Sequence, residues 1–369
     1  MIGDVLEPNK AGIAFEPTSK PVPVEERAKL LVDPGFGRVF TDHMAMIEYD
    51  EEEGWHDARI TARHPFTMDP ASPVLHYAQE IFEGMKAYRR PNGGAALFRP
   101  EANARRFAKS ATRMAMPPLP EEMFLESVRA LVRADREWIP ETEDGSLYLR
   151  PFMIANGSFL GMRPSTQFIY AVIASAVESY FKGDSATVSL WVTREFVRAS
   201  PGGTGEAKCG GNYAGSLIAQ AEAIRQGCDQ VVFLDAIERR WVEELGGMNV
   251  FFVFEDGSMQ TPPLDGTILH GVTRDSLIRL ARDAGMTVRE EDYSIEQWKA
   301  DAVSGHLTEA FACGTAAVVT PIGRVKGADG EFTIGGQGPG PLTMQLRSAL
   351  VDIQRGAAPD PYNWIEQIY

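Results

Sequence analysis

The stretch ESYFKGDSA, residues 178–186, interrupts an otherwise regular succession of apolar runs with Gly, Asp and Ser. It constrains the fold more than any other feature, because it parts two blocks that each read as alternating strands and helices. A chain of 369 residues is expected to form about two domains at roughly 150 residues each. The division predicted is an N-terminal extended arm at 1–35, a small α/β domain at 36–180, an interdomain linker at 181–189 and a large domain at 190–369.

In the first block HMAMIEYD and ARITARHPF read as strands around the acidic turn EEEGWHD. MKAYRRPNGGAALFRP reads as a hairpin, since Asn92-Gly93 lies between two strand-like runs. EANARRFAKSATRMAM is helical, and EEMFLESVRALVRADREWIP is an amphipathic helix with Phe124, Val128, Leu131 and Val132 on one face. LYLRPFMIA and QFIYAVIASAV complete the block as strands. In the second block come strand TVSLWVT, a helix at 212–226 with Leu217, Ile218, Ala221 and Ile224 expected inward, and strands QVVFLDA and MNVFFVF. A helix from Arg274 should stop at Gly285, and a last one should run from Pro341 to Gly356. The Pro-rich residues 1–35 read as extended, and no internal repeat is present. The fold class expected is mixed α/β (α+β) in two domains.

Several functions are disfavoured. A net charge of −15 argues against a nucleic-acid or anionic-membrane partner. The longest apolar run, FIYAVIASAV, falls short of the roughly 20 residues a bilayer demands. The protein is therefore expected to be soluble, and the amino end, which lacks a basic head followed by an apolar core, reads as no secretory signal; the three scattered cysteines suit a reducing, cytoplasmic setting. Cys209, Cys228 and Cys313 are far apart and form no Cys-x-x-Cys pair. The six histidines show no His-x-x-x-His spacing, so no metal is expected.

The chemistry concentrates in GGTGEAKCGGNYAGS, residues 202–216, where one lysine stands among small residues. Lys208 has three readings. It is a solvated loop lysine; or the lysine of a phosphate loop; or a nucleophile that forms a Schiff base once neutral. The phosphate loop fails, because Ala207 precedes the lysine and Cys209 stands where Ser or Thr would hold magnesium. Small neighbours such as Gly210 and Gly211 would let a flat ring approach the backbone.

Four other places bear on the choice. Glu243 and Glu244 begin a strand, so only one can face a shared site, and either alone reads as a surface glutamate. Gly271, Val272 and Thr273 open a helix whose free amides suit a phosphate, with Thr273 as a plain N-cap the alternative. Gly314-Thr315 is a second such step or a simple turn. Arg106, Lys109 and Arg113 share a helical face that ordinarily is a solvated stripe.

Taken in order, LHYAQEIFEGMKAY, LYLRPFMIA, KCGGNYAGS, EELGGMNVFF, TPPLDGTILHGVTR and GTAAVV resemble the branched-chain amino acid aminotransferases, pyridoxal-phosphate enzymes of fold type IV. The resemblance runs from about residue 36 to the carboxyl end. It implies a two-domain fold with the active site at the domain interface, and pyridoxal 5'-phosphate as cofactor. Lys208 then matches the Schiff-base lysine, Glu244 the partner of the pyridine nitrogen and Tyr213 that of the phenolic oxygen. Arg106, the Val272 and Thr273 amides and Thr315 match the phosphate site, and Leu269 belongs to the same cofactor set. The Thr315–Ala316 amides and Tyr148 match the α-carboxylate site, and Arg150 the site for glutamate's distal carboxylate. Phe36, Tyr77 and Phe82 would form the apolar wall, with Leu160 and Met162 reaching in from a second subunit of a homodimer.

The activity implied is reversible, ping-pong amino transfer between L-leucine, L-isoleucine or L-valine and 2-oxoglutarate. A D-amino acid transaminase, an aminodeoxychorismate lyase and a non-catalytic cofactor-binding relative are the alternatives. There are departures from the pattern. Ala317 and Thr320 stand where some relatives carry a redox-linked Cys-x-x-Cys, so that regulation is expected to be absent. Gly247 stands where some relatives carry threonine, so no hydroxyl contribution is expected from that position.

Overall fold

The computed structural model describes residues 12–142, 144–178, 187–336 and 338–369. The chain divides into two compact units: Met1–Tyr180 together with Gln354–Tyr369, and Phe181–Ile353. Each is built on its own nine-stranded sheet among the described residues.

In the first unit the strands Val39–Asp50, Phe168–Val177 and Ser146–Ala155 form the middle of the sheet, paired antiparallel. The last two pair along their whole length, from Ser146 opposite Val177 to Ala155 opposite Phe168. The helices Pro100–Arg113 and Glu121–Ala134 carry apolar faces that supply Phe107 and Phe124. Both rings pack on buried Tyr170, at centroid distances of 5.5 and 6.0 Å. Phe124, Val128, Leu131 and Val132 are all buried, as their spacing predicts. Met85–Arg89 and Ala95–Phe98 form the expected hairpin, with Gly93 at φ 85°, a backbone region that glycine enters without penalty.

Two expectations for this unit need correction. The arm is not simply extended: Ala14–Phe15 pairs parallel with Arg59–Ile60, and Val24–Leu30 is helical. Nor does the second domain run to residue 369. The chain returns to the first unit, where Ile365–Gln367 pairs antiparallel with Ala96–Phe98 and Trp364 sits 5.6 Å from Phe98.

In the second unit the sheet runs Val242–Leu245, Gln230–Leu234, Val188–Val192, Val318–Gly327, Leu307–Gly314, Asn249–Phe254, Met259–Thr261, Val288–Glu290. Parallel pairing flanks Val188–Val192 on both sides. Phe252 anchors the core, with Tyr293 and Trp298 at 4.5 and 4.8 Å between ring centroids. The linker predicted at 181–189 lies, up to residue 186, outside the described residues, and Val188 already begins a strand.

The helix Gly210–Arg225 turns the opposite face to the one expected. Leu217 and Ile224 are 67% and 64% exposed, Ile218 and Ala221 are exposed too, and the buried side is Asn212, Ser216, Ala219 and Ala223. Those four also recur at helical spacing, and Ala219 and Ala223 pack with Val231 and Phe233 of the sheet. Small side chains let the helix lie close to the sheet. Among the described residues no helix is long and apolar enough to cross a membrane, and no His, Cys, Asp or Glu cluster could hold a metal ion. All three cysteines are buried and free.

Candidate active site

Lys208 immediately precedes Cys209, the N-cap of the helix Gly210–Arg225. The loop before it is tied to that helix through Asn212, whose amide donates to the carbonyls of Thr204 at 2.7 Å and Ala207 at 2.8 Å. Thr204 Oγ1 returns a bond of 2.7 Å to Asn212 Oδ1. So fixed, the half-buried Lys208 places Nζ 3.1 Å from the Tyr213 hydroxyl, to which it donates. A side chain at Gly211 would meet nothing within 4 Å, which leaves the face beside the helix start open.

Both glutamates are buried, contrary to the surface reading, and the alternation of the strand Val242–Leu245 gives them different partners. Glu244 Oε1 accepts from Asn249 Nδ2 at 2.8 Å and from the Leu269 amide at 2.9 Å. Its Oε2 lies 2.8 Å from Arg198 Nε. Two N–H donors and a guanidinium favour the carboxylate anion even at 2% exposure.

Glu243 differs. Burial pushes its carboxyl up to about 6, against a lowering by the Thr267 hydroxyl. Thr267 Oγ1 lies 2.6 Å from Glu243 Oε1 and 2.9 Å from Asp265 Oδ1. A hydroxyl has one proton, so it cannot donate to two carboxylates at once. Thr267 therefore serves one of them at a time, and the contact to Glu243 is the shorter.

Gly271 caps the helix Val272–Asp283, so the amides of Val272 and Thr273 fall in its first turn. Thr273 is therefore not the cap. A Cβ on Gly271 would overlap Asn249 Oδ1, and the same Asn249 donates to Glu244 and to the Leu269 carbonyl. Thr315 and Ala316 lie in the turn between two antiparallel strands that close with Gly314 opposite Val318. Val318 takes φ 60°, a costly conformation for a β-branched residue. A Cβ on Gly247 would stand 3.3 Å from the Tyr213 ring, and one on Gly314 would stand 3.5 Å from Met248. Lys208, Tyr213, Glu244, Leu269, Val272, Thr273 and Thr315 thus belong to one unit whose loops meet through Gly247, Asn249 and Gly271.

In the first unit Arg106 leaves the solvated stripe expected of it. It is buried, and its Nε and Nη2 donate to the two oxygens of fully buried Glu83 at 2.7 and 2.8 Å. Asn103 Nδ2 adds a third bond to Glu83, of 2.8 Å. Lys109 and Arg113 remain exposed. Tyr148 accepts from Arg150 Nη2 at 3.0 Å and meets Phe36 edge-on at 5.0 Å. The Arg150 guanidinium lies over the Phe82 ring at 4.9 Å. Gly84 permits this cluster, because a Cβ there would overlap the Tyr148 hydroxyl. The Tyr77 hydroxyl donates to the Leu160 carbonyl; Tyr77 and Leu160 are exposed, and Met162 is 91% exposed.

Sequence reasoning missed Glu83, Arg198 and Asn249. Glu83 and Asn249 lie inside EIFEGMKAY and GGMNVFF, beside residues already singled out. Arg198, in EFVRASP, carries no local signal.

Residues 80–325 match the family model described as amino-transferase class IV. The probable branched-chain-amino-acid aminotransferase of Streptomyces coelicolor is 53% identical over 357 residues, covering 96% of this chain and 98% of that protein. The crystal structure of the Escherichia coli branched-chain amino acid aminotransferase superposes with a TM-score of 0.73 at 27% identity, covering 89% of this chain and 99% of that one. The branched-chain amino acid aminotransferase of Thermobaculum terrenum, crystallised in its PLP (holo) form, gives a TM-score of 0.72 at 25% identity, with 89% and 98% covered.

Proposed function

This chain belongs to the class IV aminotransferases, as a branched-chain-amino-acid aminotransferase, and from that premise we propose which of its residues carry the reaction. The cofactor is pyridoxal 5'-phosphate, and the donor set fits it. Lys208 offers an amine for the aldehyde, Tyr213 a hydroxyl for the ring oxygen, Glu244 a buried anion for the ring nitrogen. The Val272 and Thr273 amides, with Thr315, offer a phosphate site at a helix start. Arg106 supplies a cation to the same phosphate, with Glu83 fixing its guanidinium plane. When bound, the cofactor supplies an electron sink for the charge left when an α-proton departs.

The protein's own part is proton handling and positioning. Lys208, as a neutral amine, takes the α-proton and returns it as a general acid, and Tyr213 fixes where Nζ points. Glu244 keeps the ring nitrogen cationic, because an adjacent anion favours the protonated form. The Thr315–Ala316 amides and Tyr148 orient the α-carboxylate. Arg150, held by Tyr148, receives the distal carboxylate of glutamate, while Phe36, Tyr77 and Phe82 accept the alkyl chain. The observation that carries this assignment is buried Glu244, held by two N–H donors and an Arg198 ion pair in the unit that also aims Lys208 at Tyr213.

A homodimer belongs to the same reading, with Leu160 and Met162 entering a neighbour's pocket; their exposure supports it. So does a cytoplasmic location, consistent with buried free cysteines. The substrates are L-leucine, L-isoleucine and L-valine with 2-oxoglutarate. An apolar pocket separates one methylene by only about 1–3 kcal/mol, so all three should serve as donors. Steady-state transfer to 2-oxoglutarate from each L-isomer and its D-isomer tests this. Turnover of the three L-isomers is expected, and preference for D-isomers would overturn it.

A further inference from the structure

We propose that Arg198 is a positioning residue that holds Glu244 as an anion and locks the Lys208 loop to the loop before the phosphate-binding helix, so that the cofactor's ring nitrogen rather than Glu244 carries their shared proton. Arg198 is buried and reaches three places with one guanidinium. Its Nε lies 2.8 Å from Glu244 Oε2. Its Nη2 donates to the Gly205 carbonyl at 2.9 Å and to the Thr267 carbonyl. Gly205 stands three residues before Lys208, and Thr267 two before Leu269, whose amide holds the other Glu244 oxygen. The two loops touch there: a Cβ on Gly205 would overlap the Thr267 carbonyl.

The electrostatic consequence follows from position. The guanidinium acts on the Glu244 carboxylate at contact distance, and a ring nitrogen paired with Glu244 would feel it from farther away. It therefore disfavours protonation of Glu244 more than protonation of the ring. Among the described residues Glu243 and Asp265, which share the Thr267 hydroxyl, and the buried Cys313 thiol, which feels both Glu244 and Arg274, also face this cluster. A lysine would keep the charge but lacks the planar fork needed for one carboxylate and two carbonyls together.

This inference rests on Lys208 holding pyridoxal phosphate, so the test begins by reducing the parent holoenzyme with borohydride and mapping the labelled peptide. If Lys208 is not labelled, that reading and this proposal fall together. With labelling in place, holo R198K and R198Q are compared with the parent for the pH dependence of the cofactor's absorption band, for kcat and KM with leucine, and for melting temperature without cofactor. The expected result is a displaced pH midpoint in both variants, with kcat lower by about tenfold in R198K and about a hundredfold in R198Q, and KM changed less than about threefold. Parental pH midpoints and parental kcat per bound cofactor, with only the melting temperature lowered, would reduce Arg198 to a structural role and overturn the proposal. Should R198Q fail to fold, R198K gives the same comparison.

Discussion

Glu243 and Glu244 are neighbours in sequence whose carboxyl groups hold a proton with different strength, and the difference lies in what surrounds each side chain. Glu244 meets Arg198, Asn249 and the Leu269 amide, all of which favour the anion. Replacing it by Gln should lower kcat by about 100-fold while KM for leucine changes little; the separate kinetic constants check this. Glu243 shares the Thr267 hydroxyl with Asp265, and burial outweighs that bond and raises its carboxyl from 4.5 to about 6. Because the folded state binds that proton more tightly than the unfolded chain, stability falls as pH rises through this window. The stability of Glu243→Gln relative to the parent should therefore grow between pH 4.5 and about pH 6, by up to about 2 kcal/mol, and level off above that. Denaturant unfolding of both proteins across that range is the measurement, and a difference independent of pH would contradict the assignment.

Among elements, the helix start at Gly271 is tightly constrained, because Asn249 fills the space a side chain would need. Gly271→Ala should cost about 1–3 kcal/mol and weaken cofactor retention, since moving Asn249 also disturbs Glu244. Ultrafiltration of holoenzyme, followed by the absorbance retained, reads this out. The same elements mark what was legible in the sequence. The Lys208 loop and the Gly271 helix start were readable because glycine, lysine and a following helix lie within a few residues of one another. Alternation along Val242–Leu245 separated the two glutamates but could not tell that both are buried, which depends on Arg198 and Thr267 far away in sequence. In the helix Gly210–Arg225, Leu217, Ile218 and Ile224 make an apolar stripe as regular as the buried stripe of small residues, so the pattern alone points to the wrong face. Periodicity identifies a helix, but close packing against a sheet decides which face turns inward.

At the scale of the whole molecule, the carboxyl end crosses back to the first unit, a long-range pairing that no local pattern announces. Arg355 donates to the Gly145 carbonyl at 3.0 Å, Arg90 to that of Gln354 at 3.2 Å, and Trp364 packs on Phe98. Deleting residues 354–369 should lower the melting temperature by several degrees through the first unit, measured by calorimetry on the apoprotein. The chemistry itself turns on one amine, that of Lys208. Borohydride reduction of the holoenzyme, followed by peptide mapping, should fix the cofactor on the peptide that contains Lys208. Label on any other lysine, or a protein that takes up no pyridoxal phosphate at all, would contradict it.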